Sequence, residues 1–387
     1  MKALVITTMA IMGLIASTIV WFVMRADPMG GEPVVVVAID PESRPAAELA
    51  GGSTVPDVKE VTPVAPPPSV APVERTVPAN AFAEQKATST AEQKATSTGG
   101  TKPASPIAGG GELVRLPPVP VRAVVETSRY GPLPKIASDG RRPSEVYARP
   151  ANGKTASGPG QPARIALLIT GLGLSDIATT QAIDSLPGPV TLAFGPYGRN
   201  LDGWVRKARD LGHEVMLQIP LEPFDYPDND PGPHTLLTSL PPEENLKRLH
   251  WIMSRFAGYT GITNHMGAKF TAAQDSFLPV LEELKARGLI YLDDGTAARS
   301  TAGQIARDLG LDYSVSQVLI DEERNATEID LALKKLEAIA QEKGFAIGIG
   351  TSLPLTIGRV AEWARQLKAK GIELIPVSAA VRSDRQT

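Results

Sequence analysis

The chain has 387 residues, a formal net charge of −3 and no cysteine. Without Cys it can form no disulfide, thiol nucleophile or Cys-ligated zinc site, and its interspersed acids and bases do not mark nucleic acid as a partner. Length alone allows two or three domains, but the 35 Pro are concentrated before residue 165, which predicts one folded domain behind a long tether.

Residues Ala3–Met24 are apolar apart from three Thr and one Ser, and about twenty such residues are enough to cross the hydrocarbon core as a helix. The following MRADPMGG lacks a small-residue cleavage site. The expectation for residues 1–25 is an uncleaved, single-pass inner-membrane anchor with the bulk of the chain in the periplasm. Lys2 and Arg25 nearly balance, so the positive-inside count says little about orientation.

Residues 26–162 are poor in aromatics and rich in Pro, Ala, Thr, Ser, Val and Gly, and the octapeptide AEQKATST stands at 83–90 and again at 91–98. Such a composition cannot bury enough apolar surface to offset its ordering entropy, so a disordered linker is expected. Two apolar islands, Val34–Ile39 and Leu113–Val125, interrupt it; linker, transient strand and partner motif are all open readings for them.

From Ala163 the pattern changes to apolar runs alternating with amphipathic stretches. Strands are predicted at Ile165–Thr170, Val190–Phe194, Val215–Ile219, Gly261–Asn264, Leu289–Asp293, Ser314–Leu319, Ala346–Gly350 and Glu373–Val377. Helices are predicted near 175–186, 200–211, 242–256, 275–287, 300–309, 328–343 and 356–370; the sixth opens on a capping-box pattern, Thr327-x-x-Asp330. Gly212, Gly288, Gly344 and Gly371 suit left-handed C-caps. The long Pro- and Asp-rich stretch after Ile219 reads as an ordered functional loop.

Strict β–α alternation implies a parallel sheet. About seven to eight strands in roughly 220 residues point to an irregular or incomplete (β/α) barrel over 163–381, with a doubly wound sheet as the alternative. In either fold, function belongs at the carboxyl ends of the strands. Those ends carry Thr170-Gly171, Gln218 to Glu222, Asn264-His265, Asp293-Asp294, Asp321 and Gly350-Thr351-Ser352. Arg299 and the loop aromatics Phe224 and Tyr226 add a cation and stacking faces. His213 and His250 read as structural; for His234, ligand contact and simple exposure are equally open.

The segments LPGPVTLAFGPYG, GHEVMLQIPLEP, PGPHTLL, TNHMGAKFT, GLIYLDDGTAARS and IPVS resemble, in order and spacing, the divergent polysaccharide deacetylase family of bacteria. The resemblance spans about residues 163–381. It implies a deformed β/α barrel and, in active members, a divalent metal, usually zinc, held by one Asp and two His. That metal activates water against an N-acetyl carbonyl, with a carboxylate as base: a Lewis acid lowers the water's pKa, and three protein ligands leave a position open.

The family's first strand ends Asp-Asp-x-Gly; this chain has Thr170-Gly171-Leu172-Gly173. Gln218 stands where the third strand typically carries His, and Gly350-Thr351 where relatives have Gly-His. Only His265 of the expected metal set is kept, so no cofactor is expected. Zinc enters only if a rearranged site recruits carboxylates such as Glu222, Asp293 or Asp294.

The expected function is therefore envelope-glycan or protein-partner binding by a deacetylase-like domain, with Thr170, Gln218, Asn264, Asp294, Arg299 and Tyr226 as candidate ligand contacts. The first alternative is an active hydrolase, with His265, Asp293 and Glu222 as catalytic groups. The second is a periplasm-spanning tether. No Gly-x-Ser-x-Gly elbow, P-loop or His-Glu-x-x-His competes.

Overall fold

The computed structural model describes residues 114–151 and 162–384, so the expected anchor and the Val34–Ile39 island lie outside the described residues. Among the described residues, no helix is long and apolar enough to cross a membrane.

Nine parallel strands form one sheet: β3 (Ala163–Leu172), β4 (Thr191–Phe194), β5 (Val215–Leu221), β6 (Gly261–Met266), β7 (Ile290–Asp293), β8 (Tyr313–Val315), β9 (Val318–Leu319), β10 (Phe345–Thr351) and β11 (Ile372–Ile375). Their order is β8-β7-β6-β5-β4-β3-β10-β9, and β11 pairs with the lower half of β3. From β3 to β8 the strands follow one another without the reversal that a doubly wound sheet requires. The result is a curled half-barrel, the irregular form of the barrel expected from the alternation.

Residues of alternate parity serve the two faces of each strand. Ile165, Leu167 and Ile169 of β3, with Leu217 and Ile219 of β5, point outward and pack beneath the helices. Ala166, Leu168, Ala193, Met216, Leu292 and Ile349 point inward. The interior is filled from below by a helix that the sequence pattern does not predict, Val377–Asp384, through Val377, Ala379, Ala380 and Val381. Buried Glu214 receives this plug, accepting hydrogen bonds from the Ser378 amide at 3.0 Å and the Ser378 hydroxyl at 2.5 Å.

The remaining helices flank the sheet: α2 (Asp176–Ser185), α3 (Leu201–Asp210), α4 (Pro242–Met253), α5 (Ala268–Ala272), α6 (Gln274–Ala286), α7 (Ala302–Leu309), α8 (Ala326–Lys343) and α9 (Pro354–Leu367). Helix α8 starts differently from the expected capping box. Asn325 is its N-cap, with the side chain accepting from the Glu328 amide at 3.0 Å. Gly344 ends the helix at φ +83°, the left-handed cap expected there. The strand predicted over 314–319 is split into β8 and β9, because the chain steps from pairing with β7 to pairing with β10. The Gln317 side chain bridges the step: Nε2 donates to the Val315 carbonyl and Oε1 accepts from the Ile347 amide, each at 2.6 Å.

Residues 114–151 correct the expectation of a linker reaching residue 162. A hairpin of β1 (Val125–Ser128) and β2 (Gly131–Pro134) and a short helix α1 (Pro143–Val146) form a strap. It buries Leu116, Val124, Leu133 and Tyr147. Arg209, 2% exposed, donates to the carbonyls of Tyr147 at 2.9 Å and Pro117 at 3.2 Å; burial lowers its pKa to about 10. Arg149 reaches the Gly212 carbonyl at 2.7 Å, and Arg142 pairs with Asp312 at 2.9 Å. These partners lie at the amino-terminal ends of the strands, so the strap crosses the face opposite the predicted site.

Candidate functional site

One step above the apolar inner layer, the same parity places Thr170 above Leu168, Gln218 above Met216, and His265 above Thr263. The structure thus brings three of the predicted positions to one end of the barrel. Thr170 is buried and its hydroxyl donates to the Gly350 carbonyl at 3.2 Å. Gln218 is 6% exposed, and its Oε1 accepts from the Gly171 amide at 2.7 Å. Ser352 closes the other side: its amide donates to the Thr170 carbonyl at 2.9 Å, and its hydroxyl to the Gly171 carbonyl at 3.1 Å. Gly171 has φ +77°, and a Cβ there would stand 3.3 Å from Ser352 Oγ.

Solvent reaches the ring of His265, yet protein crowded around it lowers its pKa by desolvation. Met266, next to it, holds φ +57°, a left-handed conformation costly for a side-chain-bearing residue. The neighbouring Asn264 faces the other way: its Nδ2 donates to the Met266 carbonyl at 2.9 Å, and its Oδ1 accepts from Tyr291 Oη at 3.1 Å and the Asp294 amide at 3.0 Å. These bonds shape the strand end.

The carboxylates proposed for a rearranged hydrolase are engaged elsewhere. Glu222 is buried, accepting from Lys269 Nζ at 2.8 Å and from the Thr238 amide and hydroxyl at 2.6 and 2.7 Å. Burial opposes its ionisation, but these donors outweigh it and the pKa falls. It fastens the long loop after β5 to helix α5. Asp293 accepts from the Gly295 amide at 3.0 Å and the Ser300 hydroxyl at 2.6 Å, which shapes the loop after β7. Asp294 accepts from the Thr296 amide and hydroxyl, and burial raises its pKa. Asp321 holds Thr351 and Thr356.

Two loops meet over the end of β6. The Arg299 guanidinium lies 5.7 Å from the centre of the Phe224 ring, and Phe224 is 60% exposed. Tyr226, further along that loop, is half-buried. His213 is fully buried between the carbonyls of Val190 and Ile183, and His250 pairs with Glu283 at 2.6 Å. His234 is half-buried, and its ring stacks on Trp251 at 3.5 Å.

The donor set does not fit a catalytic zinc. Among the described residues, no three His, Asp or Glu side chains come together in a way that could hold a metal ion. A ligating His normally has its second ring nitrogen oriented by a carboxylate or carbonyl, and no protein hydrogen bond orients the His265 ring among the described residues. Ser352 and the left-handed Gly171 are site features that residue-type reasoning did not single out as contacts; their signals were the strand-end runs Gly350-Thr351-Ser352 and Thr170-Gly171-Leu172-Gly173.

A curled parallel β/α half-barrel with a polar floor at its carboxyl ends defines a polysaccharide-deacetylase-like domain. Residues 167–381 match the model of the divergent polysaccharide deacetylases, and the chain belongs to that family. It is similar to the crystal structure of the uncharacterized protein ATU2773 from Agrobacterium tumefaciens C58, with 41% identity and a TM-score of 0.62 over 65% of this chain and 99% of that one. It is 24% identical over 194 residues to the uncharacterized protein YibQ of Escherichia coli strain K12, covering 50% of this chain and 60% of that relative's length. An uncharacterized protein of Haemophilus influenzae is 23% identical over 226 residues, covering 57% of this chain and 78% of the relative.

Proposed function

We propose that the chain is a carbohydrate-recognising member of the family that acts on envelope glycan by binding rather than by hydrolysis. The observation that carries this reading is the Gly171–Gln218 hydrogen bond. Positions expected to supply a carboxylate and an imidazole in active relatives instead bind each other. A neutral floor of amide and hydroxyl groups suits the hydroxyl and acetamido groups of a sugar, which exchange hydrogen bonds without net charge. Phe224 offers an exposed aromatic face for stacking. The apolar run Ala3–Met24 supports attachment to the inner membrane, and the same proposal places the domain in the periplasm.

The test is calorimetric titration of the full-length chain with N-acetylglucosamine oligomers, with acetate release followed in parallel. Binding without acetate release, weakened in Gln218→Ala and Phe224→Ala, is the expected result. Acetate release that disappears in His265→Ala would replace this reading with a hydrolase.

A further inference from the structure

The barrel wall has a gap. Strand β8 pairs with β7 only as far as Asp293 and Val315, after which the chain crosses to β10 through Val318 and Leu319. Above that step no strand lies between β7 and β9 among the described residues, and a cavity of about 490 Å³ opens there. One wall is the loop Asp294–Thr296, the floor is the edge of β9 turned away from β10, and the other wall is helix α8. Strand β7 separates this gap from His265 on β6.

Three features define what would fill it. Around β9 the Ile320 amide already bonds the Ile349 carbonyl at 2.8 Å and the Val318 carbonyl accepts from Ser316 Oγ at 3.2 Å. The backbone left facing the gap is therefore that of Leu319, a short edge at which an added extended chain can pair. Leu331 is 49% exposed, off the buried stripe of Ile329, Leu333 and Leu336, and faces the cavity as an apolar contact. Asp294, Glu322, Glu323 and Glu328 line the cavity against a single Lys335, so the groove carries a surplus of negative charge.

We propose that this gap docks an extended, lysine- or arginine-rich segment of a partner protein, added alongside β9. Backbone pairing supplies affinity, Leu331 the apolar contact, and the carboxylates the selection for basic side chains. The site is independent of the glycan cleft.

The test titrates the full-length chain with a fluorescent peptide of alternating Lys and Val, and with its Glu-Val counterpart, by anisotropy, while amide hydrogen exchange is recorded. The expected result is binding of the basic peptide alone, with slowed exchange at the Leu319 amide and a roughly tenfold loss of affinity in Glu322→Lys/Glu323→Lys. Both glutamates are exposed, and an unchanged melting temperature verifies the fold of the variant. Absence of basic-peptide binding, equal binding by the variant, or unchanged exchange at Leu319 would overturn the proposal. Protection of the same amide by N-acetylglucosamine oligomers or by self-association would overturn it too, assigning the gap to carbohydrate or to a second copy.

Discussion

Gln218 Oε1 accepts the Gly171 amide proton across the end of β4, joining β3 to β5 at 2.7 Å. Only the oxygen of the side-chain amide can take that proton, so the contact fixes the orientation of Gln218. The contact thus couples positions 171 and 218 to each other. A polar contact stands where a charged constellation was expected, and it is satisfied without an ion.

Putting back both groups tests that coupling. The variant Gly171→Asp/Gln218→His presents Asp, His and the retained His265 at one barrel end. It is expected to bind zinc in stoichiometric amount after dialysis, read by elemental analysis, and to lose it when His265→Ala is added. The unaltered chain should retain none. Asp at φ +77° costs about 1 kcal/mol of stability, so the double variant melts below the parent.

Removing the contact alone has a smaller effect. Gln218→Ala leaves the Gly171 amide without its acceptor, and should cost about 1–2 kcal/mol in urea unfolding. Gln218→Glu keeps an acceptor and should recover most of that loss near neutral pH.

The strap is predicted to be integral to the domain. Arg209→Met removes donors from the carbonyls of Pro117 and Tyr147 and leaves them buried, at a cost of about 2–4 kcal/mol. Limited proteolysis should then cut within 114–151 before it cuts the barrel, whereas the parent resists there.

Acid should weaken the outer helices through Glu283. The His250 ring and the Arg287 guanidinium hold its carboxylate at a pKa of about 2, against 4.5 for the free group. A depressed carboxylate pKa stabilises the folded state fully above about pH 4.5, and that stabilisation fades as pH falls toward about 2. Part of the pair is exposed, so the expected loss is about 1–2 kcal/mol. Glu283→Gln should flatten this part of the stability–pH curve measured by denaturant titration.

The barrel was legible because its strands are short apolar runs between amphipathic helices, and this rhythm depends only on local pattern. His265, Gln218 and Thr170 were legible because motif order placed them at strand ends, where alternation turns them inward. The strap was not. Its order comes from Arg209, Arg149 and Arg142 reaching backbone and carboxylate groups far along the chain, and composition carries no trace of such pairing. Helix 377–384 was missed because its small residues Ala379 and Ala380 gain their meaning only inside a barrel already formed. Asp293 and Glu222 looked catalytic because position at a strand end does not reveal whether a carboxylate is already occupied by Ser300, Thr238 or Lys269.

That inserted helix also sets an order of events during synthesis. Ala166, Leu168 and Met216 emerge from the ribosome long before Val377 and Val381, the residues that cover them. Until then Glu214 lacks Ser378 and the inner wall stays wet. The barrel therefore cannot reach its final packing until residues 377–381 have been made and have seated themselves from beneath.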